Sequence, residues 1–368
     1  MSGEVFTERL REAELEEFRA FCLESWGEKH PLIHNEATFN YYFRRGEKLN
    51  FALARDAESG DILSVCGYIL ANSSSRPDAW ISYLVSKKGA PFGLAYRLFD
   101  YIIETTNCRS LACNNIRKKT RGLYELRGWH FGQLKHYYRL NESLERFTLA
   151  EINERDIPPL NGSVPIARAS CSPSHAEGGG RAIPAALSGE FHESSRVEIR
   201  KINGKEELES FEESVLAENR PYKDSGYLER RYLRSPWFAY ELLGAFENAR
   251  PLALLVHRKI SAGAESVLRV VDFIGDCAAL KGFGAYLDEE MKRLGAQFCD
   301  FFAAGLKPEL MRAAGFALRE DDVNIIPNYL EPPLMQNSDF YYFTSDDPAV
   351  YRVFKADGDQ DRPNIILD

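Results

Sequence analysis

The chain carries one pattern twice. Leu15-Glu16-Glu17-Phe18 is echoed by Leu208-Glu209-Ser210-Phe211, Tyr41 by Tyr232, Pro91-Phe92-Gly93 by Gly282-Phe283-Gly284, and Arg127-Gly128-Trp129 by Ala314-Gly315-Phe316. The offsets run 193, 191, 191 and 187 residues, in the same order along the sequence. A period this long is far beyond a solenoid repeat, so it specifies two domains and not an array. Copying one fold and then trimming its loops leaves this signature.

The 368 residues are ample for two domains. A formal net charge of −9 argues against a broad nucleic-acid surface, which needs a cationic face. An anionic small molecule stays compatible, because one helix N-terminus can hold a phosphate on an acidic protein. The opening Met1-Ser2-Gly3-Glu4 leads into charged residues without an apolar leader core, and no apolar run approaches the roughly 18 residues of a membrane helix. The seven cysteines are scattered and form no CxxC pair, the pattern of reduced thiols. The expectation is a cytoplasmic protein with small-molecule substrates and neither a membrane nor a nucleic-acid partner; a homodimer stays open.

Each half opens on a short strand and an amphipathic helix. In the first, Leu15, Phe18, Cys22 and Trp26 fall at helical spacing. Strands follow at 50–54 and 62–70, joined by turn residues Asp56 to Asp61, and then at 80–85. A glycine-bearing loop leads to a helix over 94–105, a strand over 110–113, a helix over 118–127 and a closing strand over 136–140. The second half repeats this order: strand 197–200, helix 205–217, hairpin 240–246 and 252–258, strand 268–274, helix 283–294, strand 297–302. The boundaries read as a first domain over 1–150, a Pro/Gly/Ser-rich linker over 151–195, a second domain over 196–345 and a polar tail over 346–368.

The first half places Lys88-Gly89-Ala90-Pro91-Phe92-Gly93 before its helix, then Asn114, then Tyr124-Glu125-Leu126-Arg127-Gly128-Trp129. In this order of strand, loop, helix, strand and Tyr-x-x-x-Gly-Trp the chain resembles the GNAT acyltransferases. The resemblance implies an α+β fold of two tandem GNAT-like domains, each a mixed twisted sheet flanked by helices. It implies acyl-coenzyme A as co-substrate, with no permanently bound cofactor and no metal, held through Leu84, Val85, Lys88, Gly89, Phe92, Gly93 and Asn114. Backbone N–H groups and the helix dipole would meet the pyrophosphate. Pro91 stands where the family has its first loop glycine and removes one donor. Tyr124 occupies the position of the family's general acid, where a phenol can protonate a departing thiolate at neutral pH.

The second half keeps a Gly-x-Gly in Lys281-Gly282-Phe283-Gly284 but has Met311 at the tyrosine position. Coenzyme A on Lys281, Gly282 and Gly284 is therefore the reverse allocation. Asp272 and Asp300 each interrupt an apolar strand, and a buried acid must be paired or hydrogen-bonded. They are candidate catalytic or amine-orienting groups beside Tyr124; the alternative is that alternation turns them to solvent. Asn328, Tyr329 and Glu331, with Lys355, Asp357, Asp359 and Arg362 of the tail, are candidate substrate contacts, being able to direct many hydrogen bonds at a polyhydroxylated or phosphorylated ligand. Asp357, Asp359 and Asp361 mimic the start of a calcium loop, but Arg362 holds the place that needs glycine. His30 and His34 lack a third zinc ligand.

The pattern of the tail and of Pro327-Asn328-Tyr329-Leu330-Glu331-Pro332 resembles tandem GNAT proteins of bacterial surface-polysaccharide synthesis. It implies transfer of an acyl group from acyl-coenzyme A to the amine of a nucleotide-linked amino sugar. A different small amine as acceptor, or a ligand-binding module without catalysis, are the other readings.

Overall fold

The computed structural model describes residues 4–153, 197–320 and 323–363. The linker expected over 151–195 therefore lies almost wholly outside the described residues. Along the first half run β1 (Val5–Arg9), α1 (Leu15–Trp26), α2 (Pro31–His34), α3 (Glu36–Phe43), the short pair β2 (Arg44–Arg45) and β3 (Lys48–Leu49), β4 (Phe51–Asp56), β5 (Ile62–Leu70), β6 (Asp78–Ser86), α4 (Leu94–Thr106), β7 (Ser110–Ile116), α5 (Arg121–Glu125), β8 (His130–Gln133) and β9 (Lys135–Leu140). The second half contributes β10 (Glu198–Ile202), α6 (Lys205–Glu209), α7 (Ser225–Leu228), β11 (Tyr240–Glu247), β12 (Arg250–Ala262), β13 (Glu265–Gly275), α8 (Leu280–Leu294), β14 (Phe298–Ala304), α9 (Pro308–Ala313), β15 (Ala317–Leu318), β16 (Tyr341–Thr344) and β17 (Val353–Phe354).

Local chemistry accounts for the principal helices. In α4 the buried Leu94, Leu98, Phe99 and Ile102 make one stripe at helical spacing, and the helix stops where Asn107 turns left-handed. Helix α8 buries Leu280, Phe283, Leu287 and Met291 in the same way and ends at Gly295, whose φ of 61° suits a residue without Cβ. Helix α1 ends on Gly27 at φ 89°, whose N–H closes on the Leu23 carbonyl.

Two sheets share one layout. The first runs β1-β4-β5-β6-β7-β16-β8, and the second runs β10-β11-β12-β13-β14-β9-β15. In each, the one parallel junction lies in the middle, β6 with β7 and β13 with β14. The sixth strand of each sheet comes from the other half of the chain. β16 inserts antiparallel between β7 and β8, while β9 inserts antiparallel between β14 and β15. Only Leu134 separates β8 from β9, so the backbone steps from one sheet into the other in a single residue.

This exchange corrects the expected boundaries: 135–140 belongs to the second sheet and 341–344 to the first. The physical reason is that a strand's sequence fixes which face is buried but not whose edge it pairs with. The face of the first sheet not covered by α4 carries α1 and α3, with Phe18 and Phe39 against Phe51, and the corresponding face of the second carries the helical segment 212–216. One apolar cluster runs through Phe18, Phe51 and Trp80 of the first half and Phe211, Tyr227 and Phe302 of the second. Among the described residues no helix is long and apolar enough to cross a membrane.

Candidate active site

In the first sheet, β6 and β7 pair only from Asp78–Ser110 to Trp80–Ala112, although β6 continues to Ser86 and β7 to Ile116. Beyond Trp80 the two parallel strands part, and Leu84 and Val85 lie on the freed length of β6. The loop from Lys87 to Gly93 closes that end. Lys88 and the φ +81° residue Gly89 sit on it, and Phe92 is 92% exposed. Gly93, at φ +91°, caps α4 without a side-chain cap; the Tyr96 and Arg97 N–H groups close on its carbonyl, and those of Leu94 and Ala95 have no partner among the described residues. A glycine turn facing uncapped donors at the positive end of a helix is suited to a phosphate.

Tyr124 lies on α5 and is 5% exposed, its ring stacked 4.2 Å from that of Phe343 on the exchanged strand β16. Burial raises its pKa well above that of a free phenol, and the neighbouring thiols of Cys113 and Cys66 push the same way. The hydroxyl therefore holds its proton at neutral pH. Asn114 on β7 donates from Nδ2 to the Phe354 carbonyl of the tail at 2.9 Å, while its buried Oδ1 has no partner.

The equivalent parting in the second sheet is filled. Pairing of β13 with β14 ends at Val270–Phe301. Past it the chain's own tail takes the space: β17 pairs Phe354 with Ala303 and Val353 with Ala304, and the Ala356 N–H donates to the Val271 carbonyl at 3.0 Å. Lys281, Gly282 and Gly284 are not a phosphate loop, because all three lie inside α8. A Cβ on Gly284 would collide with the Ala314 backbone carbonyl, so this glycine serves helix packing. The true loop is Gly275–Ala279, where the Asp276 carboxylate already caps the Ala278 N–H and would repel a phosphate. Met311 is fully buried.

Asp272 and Asp300 are fully buried and already partnered, so neither is turned to solvent. Lys223 Nζ donates to both Asp272 oxygens at 2.7 and 2.8 Å, Tyr232 Oη donates to Oδ2 at 2.6 Å, and the Phe273 N–H donates to Oδ1 at 2.9 Å. The same ammonium lies 2.6 Å from Asp357 Oδ1, an ion-pair contact without good hydrogen-bond geometry. One cation thus serves two carboxylates. Burial, only partly offset by Lys223, raises the pKa of Asp357 to about 6. Asp300 is gripped by Arg269 and by His136 Nε2 at 3.3 Å. Burial opposes its charge, but Arg269 wins and holds its pKa below the usual carboxylate range. Burial lowers the His136 pKa to about 4, so its ring is neutral.

The tail and the second domain enclose a polar pocket of about 260 Å³, with Asn115 of β7 on its wall. Asn328, Tyr329, Glu331, Lys355 and Arg362 line it; Asp357 and Asp359 do not. Asp359 accepts from Arg362 Nε at 3.1 Å, and Asp361 takes Arg258 through three contacts of 2.9 to 3.3 Å. Burial opposes the Asp361 charge too, yet Arg258 holds its pKa at about 2. Asp357, Asp359 and Asp361 therefore meet three different cations, Lys223 (shared with Asp272), Arg362 and Arg258, and they do not converge as calcium ligands. Sequence reasoning missed Arg258, Arg269 and Lys223. The first two interrupt the apolar runs of β12 and β13, the signal that had singled out Asp272.

His30, wedged between Trp26 and Tyr83 at centroid distances of 4.9 and 5.2 Å, has its pKa lowered to about 4 by burial. Its Nδ1 accepts from the Leu32 N–H at 3.3 Å, which leaves the proton on Nε2 and makes that atom a donor and not a base.

No protein-family model and no curated protein sequence matches the chain. Solved structures do. The GCN5-related N-acetyltransferase from Anabaena variabilis superposes with a TM-score of 0.52 at 9% identity, covering 93% of this chain and 72% of that one. The GCN5-related N-acetyltransferase from Kribbella flavida gives 0.49 at 11% identity, covering 93% and 71%. A putative acetyltransferase from Pyrococcus horikoshii gives 0.43 at 11%, covering 94% and 92%. The first of these shows the fold: the chain has that of the GCN5-related N-acetyltransferases, built as two mixed α+β sheets flanked by helices.

Proposed function

We propose that the protein is an acyl-coenzyme A-dependent N-acyltransferase with its donor in the first domain. The observation that carries this reading is the asymmetry of the two partings. The one between β6 and β7 ends in an uncapped glycine turn, whereas the one between β13 and β14 is taken by β17. The thioester would lie along the freed edge of β6, past Leu84 and Val85. Its pyrophosphate would meet Lys88, Gly89 and the N–H groups at Gly93. Phe92, exposed on this loop, would cover the adenine side. Asn114 would mark the reacting end.

In the reaction, the neutral amine attacks the thioester carbon, forming the C–N bond and a tetrahedral oxyanion. Collapse breaks the C–S bond. Tyr124 gives its proton to the departing thiolate, the amine's surplus proton leaves to solvent, and the tyrosinate is then reprotonated. Tyr124 holds its proton at neutral pH, so the acid is loaded when the thiolate departs.

The acceptor is assigned to the polar pocket beside Asn115, as the amine of a nucleotide-linked amino sugar. The support is chemical: amide, phenol, carboxylate and guanidinium groups line one small space. The test is free-thiol release from acetyl- and longer acyl-coenzyme A, with nucleotide-linked amino sugars set against aminoacyl and simple amines. Turnover that needs the sugar nucleotide supports the full reading. Turnover with any small amine keeps the transferase and drops the sugar. Coenzyme A binding without thiol release from any donor favours a binding module.

A further inference from the structure

The charges around the polar pocket do not balance locally. Arg258 is committed to Asp361, Arg269 to Asp300 and to the carbonyl and side-chain oxygens of Asn328, and Arg362 to Asp359. Lys355 lines the same pocket, is only 6% exposed, and has neither a hydrogen bond nor an ion pair with any described residue. Its ammonium rests 3.8 Å from the centroid of the Phe340 ring. A buried cation whose one close partner is an aromatic face is costly unless an anion joins it. Asn328 lines the pocket too, and because its Oδ1 accepts from Arg269 its N–H donors are left unclaimed by that bond.

We propose that this pocket is an oxyanion site, in which Lys355 and the Asn328 amide hold a phosphate or carboxylate group of the acyl acceptor. The word acceptor rests on the function proposed above; the oxyanion site does not. Glu331, on the exposed rim, sets a limit on the ligand, since it disfavours a group with negative charge at its outer end. A ligand carrying its anion inward and its amine outward satisfies both residues.

The groups facing Lys355 make the site sensitive to pH. Arg258 of β12 and Arg269 of β13 oppose its proton, Asp300 of β14 and Asp361 of the tail favour it, and His136 behind Asp300 is neutral. Burial is the largest influence and lowers the amine's pKa to about 7. An arriving anion restores the charge, so binding takes up a proton. Affinity should therefore weaken by up to about tenfold per pH unit above 7.

The experiment is a calorimetric titration of the intact protein, without acyl-coenzyme A, using sulfate as a phosphate surrogate of fixed charge and malonate as a carboxylate, at pH 6.5 and 8.5. The expected result is saturable binding of at least one probe at pH 6.5, weakened about tenfold or more at pH 8.5. Lys355→Met should lose it while keeping its urea midpoint near that of the parent. Lys355→Arg should keep binding and lose the pH dependence, which also separates an anion anchor from a catalytic base, since arginine cannot accept a proton. Binding of sulfate alone assigns a phosphorylated ligand, and of malonate alone an acid; either supports the site. No saturable binding of either probe, binding that Lys355→Met leaves unchanged, or a Lys355→Arg protein as empty as Lys355→Met overturns it. Thiol release to an amine that carries a phosphate or carboxylate, with a KM that Lys355→Met does not alter, would also overturn the anchor while leaving acyl transfer intact.

Discussion

Replacing Lys223 with methionine should expose how much the interface depends on one cation held between two carboxylates. Lys223 is fully buried, 2.6 to 2.8 Å from Asp272 and Asp357, and over the rings of Trp80 and Phe354 at 5.6 and 5.5 Å. Methionine fills nearly the same volume, so the loss comes from charge and not from a cavity. Removing one partner of a buried pair costs about 3–5 kcal/mol, because the remaining charge is left uncompensated. At pH 8 both carboxylates must stay ionised or one must take up a proton, and the full loss applies. A carboxyl whose pKa is raised on folding contributes stability at low pH and loses it as pH rises through the folded value. In the parent Asp357 does this near 6. Without Lys223 the transition moves upward, so the variant gains more on acidification than the parent does. At about 1.4 kcal/mol per pH unit per proton, the deficit should shrink by roughly 2 kcal/mol between pH 8 and pH 5.5. Urea unfolding of both proteins at the two pH values measures this, and Lys223→Met with Asp357→Asn should recover part of the deficit at pH 8. A deficit below about 1 kcal/mol, or one equal at both pH values, would refute the account.

Three further outcomes follow from the same geometry. Tyr124→Phe should lower kcat by about 10²-fold with acyl-coenzyme A affinity retained, followed by thiol release and calorimetry; unchanged turnover would remove Tyr124 from the reaction. Gly284→Ala should cost about 1–3 kcal/mol, seen as a lower urea midpoint at constant m-value, because a backbone carbonyl and not a movable side chain meets the new methyl. His30, His136 and His257 all have pKa values lowered to about 4 by burial. A histidine lowered on folding stabilises above its unfolded value and loses that as pH falls, so stability should decline from about pH 6.5 towards 4. A urea midpoint that stays flat across that interval would show these rings to be accessible to protons in the native state.

Apolar spacing made much of this fold legible. Helices α1, α4 and α8 and strands β4, β5, β7 and β14 follow the periodicities of their residues. So does the paired glycine after α5 and α9, where Gly128 and Gly315 adopt φ of 73° and 83°. What escaped was non-local. The run 136–140 reads as a strand, but nothing in it says that Phe298 to Ala303 is its neighbour. Gly282 and Gly284 read as a turn because a glycine needed for close helix packing looks the same as one needed for phosphate. Asp272 and Asp300 were visible as oddities, but the cations that hold them stand 49 and 31 residues away. Of the seven polar residues named in 328–331 and in the tail, five line one pocket. Lys355 could not be recognised as the unpaired one until Arg258, Arg269 and Arg362 were seen with their partners.

The exchange of β9 and β16 also sets a schedule for biosynthesis. Tyr341 pairs with Ile116, a separation of 225 residues, so the first sheet lacks an internal strand until almost the whole chain has been made. At about 5–20 residues per second, its nascent form waits on the order of 10–45 s with β7 and β8 unbridged. During that interval an unpaired edge is open to pairing with other chains. Conversely, two polypeptides cut within 154–196 would each carry the strand the other lacks, and should assemble on mixing where either alone stays incomplete.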